Sequence, residues 1–186
     1  MTKQIAWSIS ILLSLICVLP AGSAQLTKRD PLTDAEVDQM REAADYPNKR
    51  LELMVGFARA RLTSIDQLRA NATSDASRPR QIHDLLQDFL TLLDETDDNI
   101  DMYAAHNADM RKGLKLLIEA NSEWQLKLRQ LKEQSPAAEL QHYAFILTNA
   151  SDAVGDSAKT ARETLEEQNK LAAEKKLTKD YSERKD

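Results

Sequence analysis

Cysteine, glycine and proline are scarce in this sequence, and each scarcity removes a class of structure. Cys17 is the single cysteine among 186 residues, so no disulfide can staple the chain to itself and it has to stand on packing. Four glycines and five prolines leave few sites for the tight turns that hairpins and sheets require. Histidine occurs three times, and neither a Gly-x-Ser-x-Gly nor a His-Glu-x-x-His pattern is present. Hydrolytic or metal-dependent catalysis has no visible apparatus, so neither an enzyme nor a bound cofactor is expected. Basic charge is in deficit too: 25 Lys and Arg stand against 30 Asp and Glu, a net charge of −5. That balance argues against general nucleic-acid binding and against adhesion to an anionic membrane surface.

What is present begins with an export pattern. Lys3 gives a positive start, and Ile5 to Leu19 form an apolar run broken only by Ser8, Ser10 and Ser14. Pro20-Ala21-Gly22-Ser23-Ala24 follows, a helix breaker with small residues placed for a cut after Ala24. The run falls short of the roughly 20 residues that span a bilayer, so residues 1–24 read as a cleavable signal peptide. The expected product is periplasmic or secreted, with no membrane insertion of the mature chain. Cleavage discards Cys17 and Lys3, leaving 24 basic against 30 acidic residues, a net charge of −6. The expected organisation is an N-terminal extension at 25–32, a helical bundle domain at 33–177 and a charged, frayed tail at 178–186.

Within that domain the apolar spacing is helical throughout. Thr33-Asp34-Ala35-Glu36 reads as a capping box, with Leu32 and Val37 at staple spacing. From Val37 to Leu68 the stripe keeps its phase across Pro47, which predicts one helix with a kink or break there. Ile82, Leu86, Phe89, Leu93, Thr96, Ile100, Tyr103, Asn107 and Met110 alternate steps of four and three. The same alternation continues through Leu114, Leu117, Asn121, Trp124, Leu128 and Leu131, a sustained heptad pattern. A third, lighter stripe runs from Leu140 through Leu165 to Leu171. Helices are expected near 33–70, 79–134 and 136–177, around a loop at 71–78. The fold class is all-α: an antiparallel up-and-down bundle of three long helices with coiled-coil-like packing. It becomes four helices if the middle one breaks near residue 107.

Two clusters suggest metal chemistry. Asp94, Asp98 and Asp101 share a helix face, and carboxylate oxygens at that spacing suit a divalent cation. Folding the first helix back through 71–78 pairs residue 70 with 79, which places Lys49 and Arg50 opposite 94–101. It also sets Arg61 opposite Asp88, Arg41 near Asp109 and His83 level with Asp66. Folding the third helix back at Ser135-Pro136 brings Lys170, Lys175 and Lys176 to the acidic level. An inter-helix charge match is therefore the simpler account. Met102, His106 and Met110, one helical turn apart, carry the soft donors that Cu(I) selects, with Met40 level with them; yet methionine is ordinary core filler. Asn107 and Asn121 read as register devices on the heptad stripe. Asn71-Ala72-Thr73 and Asn149-Ala150-Ser151 match the glycosylation pattern, most simply by chance.

The functional expectation is a non-catalytic interaction or scaffold protein of the bacterial cell envelope. It would bind a protein partner or form a homo-oligomer through extended helical surfaces. A rod longer than its neighbours leaves apolar surface near its ends, which predicts Trp124, Leu128 and Leu131 exposed at one end and Ile82, Leu86 and Phe89 at the other. A metal-binding bundle and a periplasmic holdase chaperone are the alternatives.

Overall fold

The computed structural model describes residues 30–71 and 76–183, the last seven of these by backbone alone. The signal peptide reading and Cys17 lie outside the described residues. Those that are described form six helices: α1 (Asp34–Glu42), α2 (Pro47–Ala70), α3 (Arg78–Ala105), α4 (Arg111–Gln134), α5 (Ala137–Leu140) and α6 (Ala144–Glu183). No described helix is long and apolar enough to cross a membrane.

Local chemistry sets each boundary. Thr33 and Glu36 close the capping box at the start of α1. The expected break before Pro47 is present, and proline opens α2 in the first turn, where its missing N–H costs nothing. Arg61 then straps α1 to α2, donating to both carboxylate oxygens of Glu36 at 2.8 and 2.6 Å and to the Pro31 carbonyl at 2.5 Å. Ser135 does not cap the helix that follows it. Its hydroxyl donates back to Leu131, and Tyr143 donates to the Ser135 oxygen at 2.7 Å across the α5 turn. Helix α6 begins only at Ala144 and continues six residues beyond the expected 177.

The expected single rod over 79–134 is absent. Helix α3 ends at Ala105, and Asn107 takes a left-handed conformation with φ of 54°. The Asn107 N–H bonds the Ala104 carbonyl at 2.9 Å, and the Ala108 N–H bonds Tyr103 at 3.0 Å. That pair is a Schellman stop with asparagine in the position usually held by glycine. Asp109 restarts the chain, its carboxylate accepting from the Arg111 N–H at 3.1 Å. The apolar phase survives because Met110, on the far side of the turn, returns to the core fully buried.

Two helical hairpins result, α2–α3 and α4–α6, stacked side by side in the same orientation. Contacts between α2 and α4 keep a nearly constant offset: Arg59 with Glu123, Asp66 with Lys127, Arg69 with Gln134. These two helices therefore run parallel. The α3–α6 contact Asp97–Ser157 and the turn contact Ala108–Gln168 share an offset of 60, so these helices are parallel too. Helices α2 and α3 pack against each other, as do α4 and α6, while α3 and α4 face each other across the bundle diagonal. There Phe89 meets Trp124 edge to face, ring centroids 5.4 Å apart. On one straight helix those residues would lie about 50 Å apart.

The core runs the length of this four-helix arrangement, from Leu51, Met54 and Leu62 through Ile82, Leu92 and Ile100 to Leu114, Tyr143 and Val154. Helix α6 faces inward with Ala150, Ser157, Ala158 and Ala161, small residues that let its neighbours approach closely. Each fully buried leucine or phenylalanine contributes about 1.5–3 kcal/mol, so the core needs no disulfide.

Candidate functional site

Burial settles the position of the expected partner-binding residues. Ile82, Leu86, Phe89, Trp124, Leu128 and Leu131 are core residues, none more than 3% exposed. The expectation of two exposed rod ends is corrected by the break at Asn107. Once the rod folds into two helices of similar length, each covers the other's stripe.

The acidic cluster is not matched by the cations expected opposite it. Because α6 runs parallel to α3, Lys170, Lys175 and Lys176 lie past the end of α3 rather than beside the aspartates. Lys49 pairs with Glu52, Arg50 donates to the Met40 carbonyl, and Arg41 pairs with Asp38. Only the Arg61–Asp88 proximity holds, where the Asp88 charge adds to the rise in the Arg61 pKa caused first by Glu36. His83 lies against Asp84, and Asp66 pairs with Lys127, so the expected His83–Asp66 contact is also absent. Asp94, Asp98 and Asp101 are exposed. Among the described residues no three His, Cys, Asp or Glu side chains are placed to hold a metal ion.

One carboxylate of this band does turn inward. Asp97 lies between α3 and α6 and accepts a hydrogen bond at 3.0 Å from the fully buried Ser157 hydroxyl. Desolvation pushes its pKa up to about 6; the Ser157 bond opposes the shift, and the charges of Asp94, Asp101 and Asp98 add to it.

The methionine–histidine set is dispersed by the same break. His106 caps α3 with its Nδ1 2.7 Å from the Met102 carbonyl oxygen. Met102 is 45% exposed, whereas Met110 and Met40 are buried in the core. These side chains do not converge on a common point. Asn121 is fully buried with neither amide atom hydrogen-bonded, while Asn107 is the turn residue itself.

The structure assembles a different surface around the α3–α4 turn. Gln168 of α6 accepts from the Met110 N–H at 3.1 Å and donates to the Ala108 carbonyl at 2.8 Å, fastening α6 to the turn. A groove of about 200 Å³ opens beside this clamp, bounded by Asn107 and Asp109 on one wall and Glu167, Leu171 and Lys175 on the other. The hydrogen bonds and charge of Arg111 hold the Asp109 carboxyl down to about 2, with a smaller contribution from Lys175. Asp109 therefore stays charged across the physiological range. Leu171 is 41% exposed.

Beyond Gln168 the described α6 side chains, 169–176, include none that is buried; only Ala104 of α3, Arg111 and Ile118 of α4 and the turn between those helices border them. Residues 169–183 continue as helix for about 22 Å at the standard rise per residue. In the sequence the only hint of this clamp was a glutamine on the α6 stripe between Leu165 and Leu171. Against known proteins, no family model, no curated protein and no solved structure matches this chain.

Proposed function

We propose that this chain is a non-catalytic interaction protein of the bacterial cell envelope, exported by the segment 1–24, whose binding surface is the projecting end of α6 with its adjoining groove. The observation that carries the reading is the length of α6. A helix fastened at Gln168 and then running on to Glu183, with no buried side chain among residues 169–176, is held by little packing from its own chain. A helical extension gains most of its stability from packing of an apolar face, so a surface that covers this end would stabilise it. Half-exposed Leu171 and the charged groove walls are the chemistry of a polar-rimmed protein contact.

A photo-crosslinking side chain placed at Leu171, and separately at Leu126 on α4 as an exposed control, tests this in cells that make the protein. Discrete protein adducts from Leu171 and none from Leu126 are expected. Equal labelling from both positions, or none from either, would overturn the reading.

A further inference from the structure

We propose that the groove beside the α3–α4 turn receives α6 of a second copy of this chain, the two helices crossing antiparallel with Leu171 against Leu171. This rests on α6 being the binding surface and names its occupant.

The charge order along α6 carries the choice. Glu163, Glu166 and Glu167 precede Leu171 by eight, five and four residues. Lys175, Lys176 and Lys179 follow it by four, five and eight. These six charges form a mirror image about Leu171 with the sign reversed, while Lys170 and Glu174 fall outside it. Two such helices laid antiparallel on that centre bring each acidic block level with the other copy's lysine block. A parallel pairing would set like charges together, and a shift of a few residues would break the match. Such complementarity fixes direction and register more than it adds affinity.

Placement along the helix agrees with that order. Thr164, Glu167, Leu171 and Lys175 all line the groove, so they share one side of α6, at steps of three and four. Up to Gln168 this side is clamped to the turn; past it the same side borders the open groove, with Leu171 41% exposed. A partner helix lying there meets Leu171 first, and the antiparallel sense puts its Lys175 at Glu167. By twofold symmetry that contact is made twice. Glu167 interacts with the charge of Lys170 on its own helix, and the antiparallel partner adds its Lys175. Glu166 already pairs with Lys170 on its own helix at 2.7 Å, both side chains 69% exposed.

The test uses the full chain carrying Cys17→Ser, with Leu171→Cys or Ala173→Cys added. Leu171 sits on the proposed twofold axis, so Leu171→Cys is expected to cross-link to dimer on mild oxidation or with a short bismaleimide, while Ala173→Cys, on another side of the helix, remains monomeric. Light scattering on the chain without added cysteine is expected to show a dimer that dissociates as salt is raised. Reversing one charge, in Glu167→Lys or Lys175→Glu, is expected to weaken dimerisation about tenfold, because two repulsive pairs replace two attractive ones. The double variant Glu167→Lys/Lys175→Glu is expected to restore it. Circular dichroism melts confirm that each variant folds. Equal cross-linking at both cysteine positions, a strict monomer, or failure of the double variant to recover would overturn the proposal. A monomer whose Leu171 photo-adducts contain a different protein would remove the second copy and keep the interaction reading. A monomer without adducts would remove both.

Discussion

The side chain of Asn48 and the backbone of Gly113 are joined by a hydrogen bond of 2.8 Å that ties the start of α2 to the start of α4. The same amide donates to the Asp109 carbonyl at 2.7 Å, so one residue satisfies a donor and an acceptor of the α3–α4 turn. The Gly113 N–H belongs to the first turn of α4, where intrahelical partners are missing. Asn48→Ala is expected to cost about 1–3 kcal/mol, since it leaves a half-buried amide unpaired. Asn48→Asp keeps the acceptor and should fall between the two. Urea titrations check this: the midpoint should drop while the slope stays unchanged.

Gly113 is needed for closeness rather than for backbone freedom. A Cβ built there would lie 2.8 Å from both Cβ and Cδ1 of Leu51 on the facing helix. Alanine would gain up to about 1 kcal/mol in helix propensity, yet the overpacking it forces costs about 1–3 kcal/mol. Gly113→Ala should therefore destabilise on balance. Leu51→Ala, which opens a cavity alone, should cost less in the Gly113→Ala background than in the parent. A strictly additive double-mutant cycle would show that the two helices part without resistance.

These contacts show where the sequence was legible and where it was not. The Thr33–Glu36 box, the break at Pro47 and the level of Arg61 with Asp88 all follow from local spacing, and all are present in the fold. The turn at Asn107 was hidden for a physical reason. Asparagine can adopt the left-handed stop without glycine or proline nearby, and Met110 re-enters the core in phase, so the heptad count runs on across a reversal of direction. That one turn inverts the expected exposure of Ile82 and Trp124 and places Lys175 at the turn groove rather than onto Asp98. The bonds of Asn48 and Gln168 join positions 58 to 65 residues apart, a separation that no local pattern encodes. The mirrored charges about Leu171 were legible, but they acquire meaning only once α6 is seen to leave the bundle.

Asn121 is a core residue with a conflict in it. Its side chain is fully buried on α4, neither amide atom has a hydrogen-bond partner, and the nearby Trp124 indole N–H has none either. An unpaired buried amide costs about 1–3 kcal/mol, and leucine fills a similar volume. Asn121→Leu is thus expected to raise stability by about that much, seen as a higher melting temperature. The gain should come with weaker discrimination among helix registers, since a buried polar residue penalises alternatives. Broadened amide resonances along α4 and α6 would register that loss. A drop in melting temperature would mean that the amide is satisfied in solution.

Asp97 provides a pH dependence with a definite sign. Burial holds its pKa near 6, above the ordinary aspartate value of 3.8, so the folded state binds this proton more tightly than the unfolded chain. Its contribution is therefore complete below about pH 4 and is lost as pH rises through about 6. Allowing for solvent screening at a partly exposed site, the change amounts to about 1–2 kcal/mol. Glu36 and Asp109, whose pKa values are lowered by Arg61 and Arg111, act in the opposite direction, so the wild-type profile alone does not isolate the effect. Asp97→Asn does, because the amide can keep a hydrogen bond to Ser157 while carrying no charge. The variant should match the parent at pH 4 and become progressively more stable than it between pH 5 and 7.5. Thermal melts at these pH values decide it: a constant difference across the range would show that the Asp97 carboxylate is ionised and solvated throughout.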